Sequence, residues 1–468
     1  MKLMEVNKSK YTLLTIIVLT LAIMTVVTSA VSATDYYVAT NGNDNNIGTT
    51  EASQKQSLLN VTATANSGDT IYLATGMFKG DKNRNIIIDK DLNFIGKNNK
   101  QSSKIDAEAK GRIFTILPGC TVTFTNIMFL NGAVTGDGGA IYNNGATVSI
   151  NQCTFDNNKA TNRGGAIFSA FGHDFKIKSS EFVVNKANDG GAVYNFYGYN
   201  FNIASSTFDT NSAEYRGGAI FNEHSDSFQI VDCYFTKNTA VKFGGAVHTF
   251  HGDKCTISTS RFTMNKAKDS GGAVYNEHGD DFIVNLCSFD KNTADYRAGA
   301  LFTFHGDRVL LNNSIFAFNS AVNDAGAVFN DHGDDFHVTE CNFNKNEAGI
   351  RAGALYTFHG DRTVIHDTYF TFNSAGLHAG AIFNDHGDYL IVSECVFDKN
   401  TAKVAANNIY NFYANDVSII IPLVFHNGPS LAEILINEAG INVIVSQFTV
   451  ITDKDLKRDI NTNSPTKK

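Results

Sequence analysis

One spacing constrains this chain more than any other feature in it. Between Gly138 and Asn400 a two-part phrase returns ten times. Its first part is G/A-G-A followed by an aliphatic residue and usually an aromatic one, as in Gly138-Gly139-Ala140-Ile141-Tyr142. Its second part is F-x-x-N-x-A, first met as Phe155, Asn158 and Ala160. The alanine of the first part recurs at Ala140, Ala166, Ala192, Ala219, Ala246, Ala273, Ala300, Ala327, Ala354 and Ala381, in steps of 26, 26 and then 27 seven times. A worn eleventh copy, Ala406-Asn407-Asn408-Ile409-Tyr410, ends the series. A period this strict marks an array in which each repeat is one supersecondary unit stacked on its neighbours.

The unit reads as a coil of strands. Apolar residues do not recur at 3.6 spacing; short β-type pieces such as Asp281-Phe282-Ile283-Val284 alternate with Gly, Asn and Asp. No proline lies between Pro118 and Pro422, as expected where coil after coil donates backbone N–H groups to a ladder. Three strands and three turns per coil predict an all-β fold, a right-handed, single-stranded parallel β-helix with coils of about 27 residues. Eleven coils over residues 138–411 would be about 50 Å long at the ordinary strand spacing.

Residues one period apart then stack, and columns can be read from the sequence. Phe155, Phe182, Phe208, Phe235, Phe262, Phe289, Phe316, Phe343, Phe370 and Phe397 form one, expected in the core. Three residues on, Asn158 to Asn400 form another, expected to take the tight bend and to bond amide to amide along the column. Ile177, Ile203, Ile230, Ile257, Val284, Leu311, Val338, Ile365 and Val392 form an aliphatic third.

The rest of the chain is read around this body. Residues 1–33 look like an export signal: Lys2, Lys8 and Lys10, an apolar run from Leu13 to Val27, then small residues to Ala33. A membrane contact is expected only through this segment, if it is retained. Residues 34–137 read as an N-terminal cap with irregular first coils, and a short amphipathic helix is expected within 53–65. Residues 412–468 read as a C-terminal cap and a charged tail. A net charge of −8 with no basic block excludes nucleic acid as a natural partner. Of seven cysteines, Cys233, Cys287, Cys341 and Cys395 stand 54 residues apart. Two coils separate them by about 9.6 Å, beyond the reach of a disulfide.

Alternate coils differ, so the middle of the chain has a true period of 54. One kind reads T-F-H-G-D, the other N-E/D-H-G/S-D. Both contain H-x-D, which makes a histidine column (His224 to His386) beside an aspartate column (Asp226 to Asp388). Three readings compete. His278, Asp280, His305, Asp307, His332 and Asp334 are candidate metal ligands by type. The pair would also serve as acid and base, although a pair copied seven times has no privileged copy. The favoured reading is a turn, with Gly left-handed and Asp bonding nearby backbone. No cofactor is expected.

Tyr194, Phe221, Tyr275, Phe302, Phe329, Tyr356 and Phe383 belong to a column that alternates with inward aliphatic residues. They are expected to point outward, either as a ligand-binding aromatic face or as a self-stacked ladder. Lys254, Asp281, Arg308, Asp335 and Arg362 alternate in sign on successive coils, as do Arg297, Asp324 and Arg351. Both rows are expected to pair between rungs and to set the stacking register.

Tyr36-Tyr37-Val38, then Gly68 to Leu73, then the repeats resemble adhesin-like surface proteins of methanogenic archaea, over residues 34–411. The linked G-G-A-I/V and F-x-x-N motifs resemble the repeats of chlamydial polymorphic outer-membrane proteins. The resemblance implies a secreted or cell-surface β-helix that binds cells, surfaces or glycans and is not an enzyme. Because no membrane barrel is read after the repeats, an autotransporter is not expected. The alternatives are a polysaccharide-acting lyase or glycosidase on the same architecture, and a structural surface-layer component.

Overall fold

The computed structural model describes residues 33–420, together with the short strands Val424–His426, Leu435–Glu438, Ile444–Val445 and Thr449–Ile451. The export segment up to residue 32, the tail from Asp453 and most of the expected C-terminal cap lie outside the described residues. Within them the chain is a parallel β-solenoid. Its strands form sheets of sixteen, fifteen, fourteen and eleven members, each strand paired with its counterpart one coil away. The pairing follows the period: Ile150 faces Ile177, Phe155 faces Phe182, and Ile141 faces Ile167. The sheets run without interruption from the expected cap into the repeats, since strand Asp35–Val38 belongs to the sixteen-stranded sheet.

The fourth sheet departs from the expected three strands per coil. Most of its members are two residues long, such as Thr239–Ala240 and Lys266–Ala267. The alanine of F-x-x-N-x-A lies in it, with its methyl buried at this corner (Ala240 3 %, Ala267 0 % exposed).

The stacked columns are present. Phe129 extends the phenylalanine column downward, and successive rings from Phe129 to Phe397 lie 4.6–5.1 Å apart with planes within 7°. The aliphatic column is buried throughout. The asparagines form a continuous ladder. Asn292 Oδ1 accepts from both the N–H and Nδ2 of Asn265, while Asn292 Nδ2 donates to Phe262 O and Asn319 Oδ1. The bend itself is taken one residue earlier, at Lys237 (φ 53°), Met264 (φ 53°) and their equivalents. This corrects the expectation for Asn: a residue whose side chain must reach inward to a ladder cannot also sit at the outer point of the turn.

The phrase G/A-G-A has two separate causes. Its first residue is left-handed, as Gly in the early coils (Gly271 φ 68°) and as Ala later (Ala298 φ 56°, Ala325 φ 60°). Its second is Gly because a Cβ there would strike the next coil; at Gly245 it would lie 2.0 Å from Gly272 O. The expected helix is Leu58–Thr64, capped by Ser57, with Leu58 and Val61 buried. All seven cysteines are buried and unpaired, and burial pushes the thiols of Cys153, Cys233, Cys255, Cys341 and Cys395 up to about 12.

Candidate functional site

The residues singled out by the sequence meet on one face, the outer side of the fourteen-stranded sheet. A strand there is four residues long, as in Val274–Glu277. Val274 and Asn276 point inward and are fully buried, so Tyr275 and Glu277 point out. His278 follows in a left-handed bend (φ 54°).

The outward aromatic column is not an open wall. Tyr194, Phe221, Tyr275, Phe302, Phe329, Tyr356 and Phe383 are only 0–5 % exposed. They form apolar clusters separate from the main core, joined by Ala298, Ala325, Ala352 and Ala379 and flanked by Phe304, Phe358 and Phe412. Arginines from the corner before the strand close them over: Arg163 lies 4.4 Å from the Phe168 ring, Arg216 4.5 Å from Phe221, and Arg351 5.0 Å from Tyr356. Of the two readings, the stacked ladder describes these residues better than an open ligand-binding face, with Tyr275 on Phe302 and Phe302 on Phe329 in stacked contact. The side chains do leave the main core, but neighbouring columns bury them.

Beside this strip runs a column that the sequence reading passed over. Phe196, Glu223, Phe250, Glu277, Phe304, Asp331, Phe358, Asp385 and Phe412 stack in register, acid and phenylalanine by turns. The acids collect the polar groups of the strip. Asp385 accepts from Tyr356 Oη at 2.5 Å, meets His386 Nδ1 at 2.6 Å and lies 3.5 Å from Arg351. Asp331 meets His332 Nδ1 at 2.6 Å. Glu277 bonds the fully buried His248, at 3.0 Å, and Glu223 bonds Tyr194 Oη. The signal was in the sequence as the alternation of E/D with F just before each histidine.

The histidines form a stack. Rings from His224 to His386 lie 4.8–5.2 Å apart, continued by Tyr197 below and Tyr413 above. Burial and the flanking imidazoles push His305 and His359 down from the usual histidine range. Here too the turn differs from expectation: His is the left-handed residue, and Gly is needed because a Cβ at Gly279 would lie 2.6 Å from Gly252 O. Five aspartates, from Asp226 to Asp334, each accept the backbone N–H of the aspartate one coil on, Asp253 from Asp280 and Asp280 from Asp307 among them.

The candidate ligands His278, Asp280, His305, Asp307, His332 and Asp334 are therefore side by side. Successive rings stack face to face with centroids 4.8–5.2 Å apart, and Nδ1 of His332 is taken by Asp331. Among the described residues no group of three or more His, Cys, Asp or Glu is arranged to hold a metal.

The charge rows resolve into pairs. Arg308 bonds Asp281 at 2.6 Å and Arg362 bonds Asp335, each turning to the acid one coil before it. A cavity of about 330 Å³ opens between Arg308, Leu310, Asp335, His337 and Arg362. In the other row Arg351 holds Asp324 through two bonds of 2.9 and 3.0 Å. That row reaches further than expected, through Arg163–Asp137 and Arg216–Asp189. Among the described residues no helix is long and apolar enough to cross a membrane.

Three stretches, residues 152–170, 205–223 and 232–249, match the Chlamydia polymorphic membrane protein repeat. The chlamydial part of the resemblance is thus found again; nothing among these matches speaks to the archaeal part. No curated protein matches the chain. Among solved structures it is similar to tailspike protein 3 of bacteriophage CBA120, at 11 % identity and a TM-score of 0.45, over 89 % of this chain and 61 % of that one. It is also similar to a mannuronic acid specific polysaccharide family 6 lyase from the human gut microbiota, at 10 % identity and 0.39, over 85 % and 88 %. A third is the DFA-IIIase of Arthrobacter chlorophenolicus A6, at 12 % and 0.39, over 64 % and 84 %. At such identities the likeness is one of fold. It corrects the expectation that the chain is not an enzyme: the solved proteins that share this architecture include enzymes, and a solenoid is no ground for excluding catalysis. The chain is an all-β parallel solenoid whose repeats are similar to those of a chlamydial membrane-protein family.

Proposed function

We propose that the chain is a secreted or surface-displayed, adhesin-like solenoid that holds cell-surface proteins or glycans along its length. The observation that carries this reading is the repetition of its outer side chains. Exposed columns recur in steps of one or two coils over hundreds of residues, so the surface offers the same contact many times. Many weak contacts to a repetitive partner add through effective concentration. The similarity to a membrane-protein repeat supports the surface placement, and the basic, apolar and small-residue order of residues 1–33 supports export.

The test is binding of the labelled full-length chain to whole cells and to a glycan array, with sugar release measured on every glycan bound. Saturable binding to cells or to glycans is the expected result. Release of sugar products would replace this reading with a polysaccharide-acting one. Binding to neither cells nor glycans would overturn it.

A further inference from the structure

The corner two residues after each core phenylalanine is a left-handed bend on the outside of the solenoid. From Lys237 to Lys399 it carries Lys on every second coil, at Lys291 and Lys345 as well, with Met264, Phe318 and Phe372 between; φ runs from 52° to 57°. All seven side chains are exposed. A left-handed bend is unfavourable for such residues, and Asn157, a residue suited to it, holds the same corner in the first coil. Long side chains stand here against the preference of the backbone.

The two kinds of rung hold each other. Lys291 and Lys345 flank the Phe318 ring at 5.8 and 5.2 Å, and Lys345 and Lys399 flank Phe372 at 5.8 and 5.0 Å. The rings keep the ammonium groups off adjacent rungs and steady them by cation–π attraction. The result is a straight row of cations spaced by two coils, about 9.6 Å, with apolar ring edges between them.

We propose that this row is a docking rail for an extended acidic polysaccharide whose charge recurs once per disaccharide. The proposal rests on the surface-binding reading above. A disaccharide in an extended chain advances by a length similar to two coils, so carboxylate or sulfate groups meet successive lysines. The apolar faces of the intervening sugars meet Met264, Phe318 and Phe372. Asp290 and Asp398 stand inside the row, 3.7 Å from Lys291 and 3.8 Å from Lys399. They offset part of the charge of those two lysines, so the row presents a weak positive field, which suits a single chain and opposes a broad anionic surface. A nucleic-acid strand carries a charge every 3.4 Å or so, too dense for this pitch.

The test measures affinity of the full-length chain for three immobilised polymers across a salt series. One alternates a uronate with a neutral N-acetylhexosamine, one carries a carboxylate on every sugar, and one is neutral. The expected result is tightest binding to the alternating polymer. Combining Lys291→Gln and Lys345→Gln should weaken it at least tenfold and flatten the log–log salt dependence by roughly two charges. Phe318→Ala with Phe372→Ala should weaken it several-fold and leave the salt slope unchanged. Lys254→Gln, on another edge, should change nothing. Thermal melts establish that each variant is folded. Equal affinity of the Lys double variant and the parent overturns the rail, as does tighter binding of the densely charged polymer or displacement by anionic vesicles or DNA. Binding only to neutral glycans or to cells, indifferent to the lysines, overturns the rail and leaves the surface-binding reading standing. Binding to no polymer and no cell overturns both.

Discussion

The corner that carries Phe289 and Asn292 and the strand that ends at Glu277 belong to one coil, yet they repeat differently. The phenylalanine and asparagine of the corner are the same in coil after coil, with period 27, while the exposed residue just before the asparagine alternates from Lys237 on. The strand end alternates, with period 54. The difference lies in what each side chain needs from its copy one coil away. A phenylalanine ring stacks on another phenylalanine, and an amide is donor and acceptor at once, so Asn bonds Asn without limit. Unless backbone N–H groups supply the donors, as they do along the aspartate column, a carboxylate, an ammonium or a guanidinium is poorly served by a copy of itself. Those columns alternate: Asp281 with Arg308, Asp324 with Arg351, Glu277 with Phe304, Lys345 with Phe372. The buried column of Asn222, Thr249, Asn276, Thr303 and Asn330 alternates for another reason: Thr303 Oγ1 donates to Asn330 Oδ1 at 2.7 Å, which leaves Asn330 Nδ2 to donate to Gly333 O within its own turn.

The largest effect should come from breaking the uniform corner. Phe289→Ala removes a fully buried ring stacked on both sides and is expected to cost about 3–5 kcal/mol in denaturant melts. Asn292→Ala leaves the two donors of Asn265 and the carbonyl of Phe262 without their partner. At roughly 1–3 kcal/mol for an unsatisfied buried group, it is expected to exceed the cost of Asn384→Ala in the alternating column.

Acid tests the alternating side. His305 and His359 are held below the usual histidine range by burial and by flanking imidazoles, and burial pushes His248 down as well. A histidine depressed in the folded chain takes its proton more readily in the unfolded one. Stability should therefore fall as pH drops through the ordinary histidine value, near 6.5. Replacing His305 and His359 by Tyr, a residue that already extends the stack at Tyr197 and Tyr413, should flatten that part of the melting-temperature profile. An unchanged profile would place the acid sensitivity elsewhere.

The smallest effect is expected on the exposed charge pairs. Asp281→Lys with Asp335→Lys places like charges on adjacent rungs. It should lower the melting temperature slightly at low salt and raise the yield of misfolded chain, with partial recovery at high salt. A variant that melts and refolds like its parent would make the alternation a relic of a duplicated 54-residue unit.

The sequence by itself determined everything that lies along the solenoid axis. Once the period is known, the neighbour of Phe155 is Phe182 and that of Asn158 is Asn185. A copy one coil away is a contact whatever the cross-section of the coil. The tertiary structure decided what lies across the axis. The cover over Tyr356 comes from Arg351, five residues earlier and around a corner, and from Asp385 on the next coil. Their approach depends on the angle of each bend. Those bends are set by left-handed residues that include Lys, His and Phe as well as Gly and Asn, so residue type did not disclose them. The outward direction of the aromatic residues was legible in the alternation along each strand, and how far the corners bury them was not.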